Sequence, residues 1–294
     1  MHASTNERPQ SYPVDLHAHS TCSDGALSPQ ALVQKAAARG VRIFALTDHD
    51  TTVGIPAAME AAEPLGVTIV PGVEISAHHE REVHVLGYFI DPEYPELKAI
   101  MATRKLDREE RVRTICARLK GLGMPLDAEG IIRHAGGNVG RPHVARAMVF
   151  AGYVKTFDEA FKRFLGSNKP AYVAASYLPV SEAIAMIHRA GGLAVVAHPC
   201  ADNLARAIPT FAEWGLDGVE VYHPAHHPGQ RRALLKLCEV HDLVVTGGTD
   251  FHGPDGDPPG TFGLEPQVFE AMLARRQQRQ LVDPAATKPQ PSAS

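Results

Sequence analysis

The sequence predicts an α/β fold in which a mainly parallel β-sheet closes as a barrel and a small helical subdomain is inserted between its strands. Three observations lead to this prediction. Short apolar runs typical of strands recur along the chain, helical patterns lie between most of them, and one long helical stretch interrupts the alternation. Strands that alternate with helices form parallel sheets, because each helix carries the chain back to the edge where the next strand begins.

Seven apolar runs predict the strands, and most of them end in a histidine or a carboxylate. Glu74 and His84 are too close in sequence for a crossover helix, so the chain between them is expected to turn back as a hairpin around residues 78–80. The predicted strands cover residues 14–16, 42–46, 68–73, 83–86, 193–197, 218–222 and 243–245.

The helices between these strands have recognisable ends. Ser28 followed by Pro29 is a typical helix start, and Gly40 is a typical helix end. Helices are therefore predicted for residues 30–39, 181–189 and 229–241.

The strand rhythm stops in a segment that is helical and rich in arginine and lysine. We interpret this segment as a helical substrate-binding insertion in the barrel, and we expect both chain ends to be disordered because they are polar and lack hydrophobic periodicity. The predicted division is a barrel over residues 12–93 and 178–283, an insertion over 94–177, and disordered ends at 1–11 and 284–294.

The composition fits a cytoplasmic enzyme. A net charge of −4 gives no general attraction to nucleic acid, no apolar run is long enough to cross a membrane, and the N-terminus lacks the apolar segment of a secretion signal. Membrane association is therefore not expected, and no protein partner is indicated. The cysteines are widely spaced and form no CxxC pair, which favours reduced thiols; they are Cys22, Cys116, Cys200 and Cys238.

Nine histidines and carboxylates follow or lie within the predicted strands. The ends of barrel strands converge on one face, and such a cluster is costly to bury unless cations neutralise it. Imidazole and carboxylate without thiolate suit Mn²⁺, Zn²⁺ or Fe²⁺, and two to three such ions would activate water against a phosphoester. The candidate ligands are His17, His19, Asp24, His49, Glu74, His84, His198, Asp250 and His252.

Other residues near these ligands allow two interpretations. His223 ends a strand as the ligands do, and it is either a structural histidine or a group that orients a ligand or donates a proton. Asp48 is expected to orient an imidazole or to cap the following helix. Four further histidines are assigned to solvated polar loops and receive no role; they are His78, His79, His226 and His227.

Basic residues of the insertion are candidates for binding a second phosphate. Arg104, Arg108 and Arg111 share one helix face, which is either a solvated face that forms salt bridges or a phosphate-binding stripe. Arg141 and His143 lie at a predicted helix start, where free amides favour an anion, and we prefer this second position. Lys169 and Tyr172 are weaker candidates for phosphate and base contacts.

Six motifs give the chain a resemblance to the PHP (polymerase and histidinol phosphatase) family, over Pro13 to Gly263 and in the family's order. The resemblance implies a distorted (β/α)₇ barrel with a trinuclear metal centre. It also implies one metal on His17, His19, Glu74 and Asp250, a second on Asp24, His49 and His252, and a third on bridging Glu74 with His84 and His198. The motifs are DLHAHSTCSDGALSPQ, ALTDHDTTVG, PGVEIS, VHVLGYF, VVAHP and GGTDFHG.

Within that family, GRPHVARAMV and the helical insertion resemble the branch of nucleoside 3′,5′-bisphosphate phosphatases and the 5′→3′ exoribonuclease RNase AM. The resemblance implies a small nucleotide substrate carrying two phosphates, such as pAp. The catalytic candidates are Glu74 and Asp250 among the ligands, together with His223 at its strand end. The alternative substrate is 5′-phosphorylated RNA. Two less favoured alternatives are a non-catalytic metal-binding module and an amidohydrolase, although no candidate for a carboxylated lysine is visible.

Overall fold

The computed structural model describes residues 11–282 except Ser176 and Asp202. The termini that were predicted to be disordered therefore lie almost entirely outside the described residues. Among the described residues, no helix is long and apolar enough to cross a membrane.

Seven strands form a nearly closed, barrel-like sheet, as predicted. Their order in the sheet is β1-β2-β3-β4-β6-β7-β8, and the short strand β5 pairs with β3 outside this path. The strands are β1 (Val14–Asp15), β2 (Ile43–Leu46), β3 (Thr68–His79), β4 (Arg81–Tyr88), β5 (Leu178–Pro179), β6 (Leu193–Val196), β7 (Gly218–Tyr222) and β8 (Val244–Gly247).

Backbone hydrogen bonds join the end of β8 and the segment after it to the segment after β1, and so bring the two edges of the sheet together. The Leu16 amide donates to the Gly247 carbonyl over 3.2 Å, and the Asp250 amide donates to the His17 carbonyl over 2.8 Å. Only glycine fits at position 248, because a Cβ there would lie 2.4 Å from the His17 nitrogen. This close approach sets the metal-ligand candidates of the first and last strands side by side.

The sheet is parallel except around β4. Strands β3 and β4 form the predicted hairpin, which turns at Glu80 with a φ of 59°, and β4 also runs antiparallel to β6. The hairpin is longer than predicted and its ladder continues to the pair His79 and Arg81. His78 and His79 are therefore strand residues, contrary to their assignment to a loop.

The interior of the barrel is apolar below the ligand face. Leu16, Leu86 and Val195 are fully buried there, and the hydroxyl of buried Tyr88 donates to the Leu16 carbonyl over 3.0 Å. A second apolar layer packs between the sheet and the outer helices, where Val180, Ile184 and other residues of α7 are buried. Burial on both sides explains why the parallel strands read as continuous apolar runs.

Within the described part of the chain, ten α-helices accompany the strands. Ser28 caps α1 by accepting a hydrogen bond from the Ala31 amide, and Gly40 beyond its end has a φ of 90°, as that sequence predicts. The helices are α1 (Pro29–Ala38), α2 (Ile55–Ala62), α3 (Pro95–Gly121), α4 (Ala128–Ala135), α5 (Arg141–Phe150), α6 (Phe157–Ala160), α7 (Val180–Arg189), α8 (Ile208–Glu213), α9 (Pro228–Val240) and α10 (Pro266–Val282).

Helices α3 to α6 lie between β4 and β5 and have an apolar core of their own. Residues such as Ile115, Leu119, Val144 and Met148 are buried in it. A turn of π-helix, Phe161–Leu165, extends α6. These helices form the inserted helical subdomain, while the boundaries given above for it stay a prediction.

Candidate metal centre

All nine candidate ligands meet at the end of the barrel where the parallel strands finish. His17 and His19 follow β1, His49 follows β2, and His198 follows β6. The remaining ligand candidates come from β3, β4, the segment after β8 and the loop before α1; they are Glu74, His84, Asp250, His252 and Asp24. Strand convergence therefore gathers side chains that are far apart in sequence.

Glu74 lies at the middle of the cluster and is 1% exposed. Its Oε2 lies 3.4 Å from His17 Nε2, 3.3 Å from His19 Nε2 and 3.0 Å from His49 Nδ1. Its Oε1 lies 2.9 Å from His84 Nδ1 and 3.2 Å from His198 Nε2. The two oxygens of one carboxylate thus face two different sets of imidazoles, which is the arrangement of a bridging ligand.

Eight of the nine candidates, all except His198, form three overlapping groups whose ligand atoms lie within 4.8 Å of one another. Ligands held about 2.1 Å from one ion lie roughly 3.0–3.4 Å apart at octahedral or tetrahedral angles, and the Glu74 contacts fall near that range. The groups differ from the predicted sets in two ways. His19 also joins the Asp24 group and His49 joins the Glu74 group, whereas Glu74 is absent from the His17 group and His198 from the Glu74 group. The three groups are His19, Asp24, His49 and His252; His17, His19 and Asp250; and His49, Glu74 and His84.

Several buried ligand atoms make no hydrogen bond with any described residue. Neither ring nitrogen of His19 makes such a hydrogen bond. A buried polar atom without a hydrogen bond lowers the free energy of unfolding by about 1–3 kcal/mol. The others at this site are His17 Nε2, Asp24 Oδ1 and His49 Nδ1. Coordination of a cation would satisfy these atoms, so the donor set fits divalent metal.

Glu220 fixes the orientation of two ligands and was not identified from the sequence. Its Oε1 lies 2.9 Å from His17 Nδ1, and its Oε2 accepts a hydrogen bond from the His198 amide over 2.8 Å. The proton of His17 is thereby held on Nδ1, and Nε2 is left to coordinate. A carboxylate within the apolar strand GVEVY was the available signal.

His252 and His223 are oriented in the same way. His252 Nδ1 lies 2.8 Å from the Asp250 carbonyl, so Nε2 faces Asp24. His223 Nδ1 accepts from the Ala225 amide over 3.1 Å, which leaves the proton of a neutral ring on Nε2, 3.3 Å from Asp250 Oδ2. His223 is therefore within reach of the centre.

Asp48 holds the loop that carries Asp24. Its carboxylate accepts hydrogen bonds from the Ser20 amide at 2.7 Å, the Ser20 hydroxyl at 2.7 Å and the Ser23 hydroxyl at 2.6 Å. These bonds replace the imidazole contact or helix cap that we expected for Asp48. The function of this buried carboxylate is to fix the backbone beside a ligand.

Charges on the histidines of the centre lower the pKa values of its carboxylates. Burial acts to raise the pKa of Glu74, but the charges of His49, His84 and His17 outweigh it and hold that pKa well below its usual range. Burial likewise acts to raise the pKa of Asp24, and the charges of His252 and His49 lower it instead. These carboxylates are ionised at neutral pH and are ready to bind a cation.

Arg141 lies in a cleft of about 630 Å³ beside the metal-ligand candidate His84. Its guanidinium donates to Glu82 Oε2 over 2.8 Å and lies 5.8 Å from the Tyr172 ring centre. Burial acts to raise the pKa of Glu82, but its hydrogen bond with His84 and the charge of Arg141 lower it below its usual range. In the predicted anion pocket, the guanidinium of Arg141 is therefore already paired with the carboxylate of Glu82.

The other basic candidates lie in different surroundings. Arg108 forms a partly buried ion pair with Asp50 and donates to the Ser76 hydroxyl over 2.9 Å. Arg111 donates to the Val173 carbonyl over 2.9 Å, while Arg104 lies 3.5 Å from Asp107. The salt bridge expected along the helix is thus present for Arg104, whereas Arg108 reaches across to the barrel and ties α3 to it. Whether any of the three binds phosphate stays a prediction.

Three remaining predictions concern His143, Lys169 and His226. His143 accepts a hydrogen bond from the Gly140 amide over 3.1 Å at the start of α5, and burial lowers its pKa to about 4. Lys169 is exposed, on the loop that lines the Arg141 cleft through Ser167 and Asn168. The prediction for His226 was wrong: it is 1% exposed, because the Val221 carbonyl and the Cys200 amide bind its ring.

Comparison with known proteins places this centre in a family. Residues 15–165 match the PHP domain. The chain is 41% identical over 248 residues to a 5′-3′ exoribonuclease of Haemophilus influenzae, covering 82% of this chain and 90% of that protein. It is 36% identical over 249 residues to a 3′,5′-nucleoside bisphosphate phosphatase of Chromobacterium violaceum, covering 82% and 87%.

A solved structure gives the same result for the whole fold. A metal-dependent phosphoesterase from Bifidobacterium adolescentis superposes with a TM-score of 0.82 at 31% identity, covering 89% of this chain and 95% of that one. The match extends over the barrel and the helical insertion together. The chain therefore belongs to the PHP domain family.

Proposed function

We propose that this protein is a metal-dependent hydrolase that removes the 3′-phosphate from nucleoside 3′,5′-bisphosphates, for example converting pAp to AMP and phosphate. The observation that carries the proposal is the cluster of nine ligand candidates around Glu74, several of whose buried nitrogens make no hydrogen bond with any described residue. Relatives of this chain hydrolyse phosphoesters, among them a nucleoside bisphosphate phosphatase. The widely spaced free cysteines suit the cytoplasm, where we place the enzyme.

We assign two to three divalent ions, of Mn, Zn or Fe, to the ligand groups predicted above. Bound there, such ions lower the pKa of water and neutralise phosphate oxygens, which is the chemistry that phosphoester hydrolysis requires. Glu74 would hold two of the ions at a fixed separation. Glu220 keeps His17 in the tautomer that binds metal, and Asp48 keeps the Asp24 loop in place.

His223 is our candidate for the proton donor. The Ala225 amide occupies Nδ1, so a neutral His223 carries its only proton on Nε2, beside Asp250. From this position the neutral ring would hold Asp250 in place. To supply a proton to the oxygen that leaves phosphorus, His223 would act as the imidazolium and donate from Nε2 in place of the contact with Asp250.

Arg141 and its cleft would bind the phosphate that is not hydrolysed. The cleft contains His84 at one end and Arg141 within it, so a nucleotide could place one phosphate at the metals and the other at the guanidinium. Glu82 pairs with Arg141 at 2.8 Å and must give way to the incoming phosphate. A doubly charged phosphate can displace it, because it offers more acceptor oxygens and more charge than one carboxylate.

A second candidate activity is the 5′→3′ exonucleolytic cleavage of 5′-phosphorylated RNA. The observation that favours it is the 41% identity to an exoribonuclease over most of both chains. In both reactions the bond that breaks lies on the 3′ side of a nucleotide whose 5′-phosphate occupies the same cleft. One centre could therefore perform both.

The decisive experiment compares the two substrates directly. With the Mn²⁺-loaded protein, we expect hydrolysis of pAp, and kcat/KM for pAp and for a short 5′-phosphorylated RNA gives the preference. The His17→Ala variant serves as a control for contaminating phosphatases. Absence of turnover on both substrates with Mn²⁺, Zn²⁺ and Fe²⁺ would overturn the proposal in favour of a non-catalytic metal-binding module.

A further inference from the structure

Glu82 and Arg141 form an ion pair inside the cleft that also contains the metal-ligand candidate His84. The Arg141 Nη2 atom lies 2.8 Å from Glu82 Oε2, and the two side chains are 17% and 26% exposed. Both members of the pair are therefore accessible to a ligand that enters the cleft.

The charged side chains that line this cleft cancel one another. Apart from His84 they are two carboxylates and two guanidiniums, on Glu80, Glu82, Arg81 and Arg141. A phosphate in the cleft receives the charge-assisted hydrogen bonds of Arg141 only where it replaces the carboxylate that already accepts them. Glu82 therefore competes with a bound phosphate for the same guanidinium.

Arg141 has other contacts that hold it in position. Its guanidinium carbon lies 5.9 Å from the ring centre of Phe161 and 5.8 Å from that of Tyr172. Aromatic rings at this distance attract a guanidinium through their π electrons. The guanidinium thus keeps two neighbours in the insertion when Glu82 moves away, and it does not depend on the carboxylate for its place.

Glu82 also has partners besides Arg141. The Tyr177 side chain is hydrogen-bonded to its carboxylate. The Tyr177 hydroxyl accepts a hydrogen bond from Arg111 over 3.2 Å, which leaves its own proton for Glu82. Glu82 Oε1 also lies 3.6 Å from His84 Nε2. The ion pair can therefore open without leaving either charged group without a neighbour.

We propose that Glu82 is an internal competitor for the 5′-phosphate, which weakens the binding of the nucleoside 5′-monophosphate product and so promotes its release. The inference rests on the proposed function and on the cleft assigned there to the distal phosphate. The substrate would be held at two places, by the metals and by Arg141. After hydrolysis the nucleotide retains only its 5′-phosphate, and closure of the Glu82–Arg141 pair removes that remaining contact.

Glu82→Gln tests the competition, because it keeps the shape of the side chain and removes its charge. With the Mn²⁺-loaded protein, we expect the Kd of AMP, measured by titration calorimetry, to fall roughly 3- to 20-fold, since phosphate no longer displaces a charge-assisted hydrogen bond. The inhibition constant of AMP against pAp hydrolysis should fall by the same factor. Glu82→Ala also removes the carboxylate and should tighten AMP binding in the same direction. Elemental analysis establishes equal metal content in the proteins compared.

Two controls separate the ion pair from general electrostatics. Glu80→Gln removes the same charge from an exposed residue of the same cleft but leaves the Glu82–Arg141 pair intact, and it should change the Kd of AMP by less than about twofold because of solvent screening. In the Arg141→Ala background, Glu82→Gln should also change that Kd by less than about twofold, because the guanidinium for which the two anions compete is gone.

Several results would overturn this inference while the proposed function stands. Unchanged or weaker AMP binding in both Glu82 variants would make Glu82 a support for Arg141. Tightening that persists in the Arg141→Ala background would place the effect at the metal centre, and equal tightening in Glu80→Gln would make it a general charge effect. AMP binding that Arg141→Ala leaves unchanged would place the 5′-phosphate elsewhere. Wild-type protein that does not hydrolyse pAp overturns the proposed function, and with it the product whose release is explained here.

Discussion

Glu74 connects the parts of the candidate centre, because its two oxygens face different imidazoles. We predict that Glu74→Gln loses metal from both adjoining ligand groups and nearly all turnover, while Asp24→Asn loses metal from one group and keeps measurable activity. The physical reason is that an amide donates one neutral oxygen where two charged ones are required. Metal content per protein, measured by elemental analysis together with circular dichroism, distinguishes the two variants. Equal metal content in both variants would contradict the bridging assignment.

Glu220 acts on the metals only through His17 and His198. Replacing it by glutamine keeps the shape but removes the charge that holds the Nδ1 proton of His17. We expect metal affinity to fall roughly 10- to 100-fold, as for other carboxylates behind metal-bound histidines. Competition with a chelator measures that affinity, and Glu239→Gln on the exposed side of α9 is the matched control. Unchanged affinity in Glu220→Gln would leave the residue a purely structural role.

Arg141 is predicted to recognise the distal phosphate. Arg141→Ala should lose roughly 30- to 1000-fold in kcat/KM for pAp or 5′-phosphorylated RNA, since charge-assisted hydrogen bonds to a dianion are lost. A nucleoside 3′-monophosphate offers nothing to this cleft and should be hydrolysed slowly by both proteins. Measuring wild type and Arg141→Ala on both substrates gives four kcat/KM values, from which the interaction between Arg141 and the 5′-phosphate is obtained as in a double-mutant cycle. A loss of the same size on the two substrates would place Arg141 in the metal centre or the fold.

At the scale of elements, the start of α5 depends on an uncharged His143. Burial lowers its pKa from the ordinary 6.5 to about 4, so between these values the unfolded chain binds a proton that the native protein does not. The contribution of neutral His143 to the free energy of unfolding is therefore fully present above pH 6.5. It is lost as the pH falls toward 4, and the loss is at most about 3 kcal/mol.

His143→Asn tests this dependence, because its amide oxygen can accept the Gly140 hydrogen bond but does not titrate in this range. As the pH falls from 7.5 to 5, we expect the free energy of unfolding to decrease more in the wild type than in the variant. Urea unfolding at several pH values measures it. Parallel pH profiles for the two proteins would show that His143 does not contribute.

For the whole molecule, the nine ligand candidates concentrate buried ionisable groups at one end of the barrel. We predict two to three equivalents of metal in the purified protein, reversible loss of activity on chelation, and a lower thermal midpoint without metal, because ions that bind only the native state stabilise it. Calorimetry before and after chelation and reloading provides the measurement. Less than one equivalent together with full activity would rule out a multinuclear centre.

The seven strands, the first helix with its caps, and the family could all be predicted from the sequence. Local patterns carry this information. Apolar runs indicate strands, Ser28 and Gly40 indicate helix ends, and the motifs that contain His17 and His252 are short contiguous stretches of sequence. The hairpin followed from the short spacing between Glu74 and His84. The inserted helical segment could be recognised because the apolar runs typical of strands are interrupted there.

Which side chains face each other could be seen only in the folded chain. Glu220 reaches His17 from a position 203 residues away, Arg108 pairs with Asp50 instead of its helical neighbours, and His226 is buried under backbone groups that no local pattern reveals. Such contacts depend on how the sheet closes and how α3 packs on it. Local sequence fixes periodicity and chain reversals, whereas burial and the pairing of buried charges depend on three-dimensional neighbours, and that is why they required the fold.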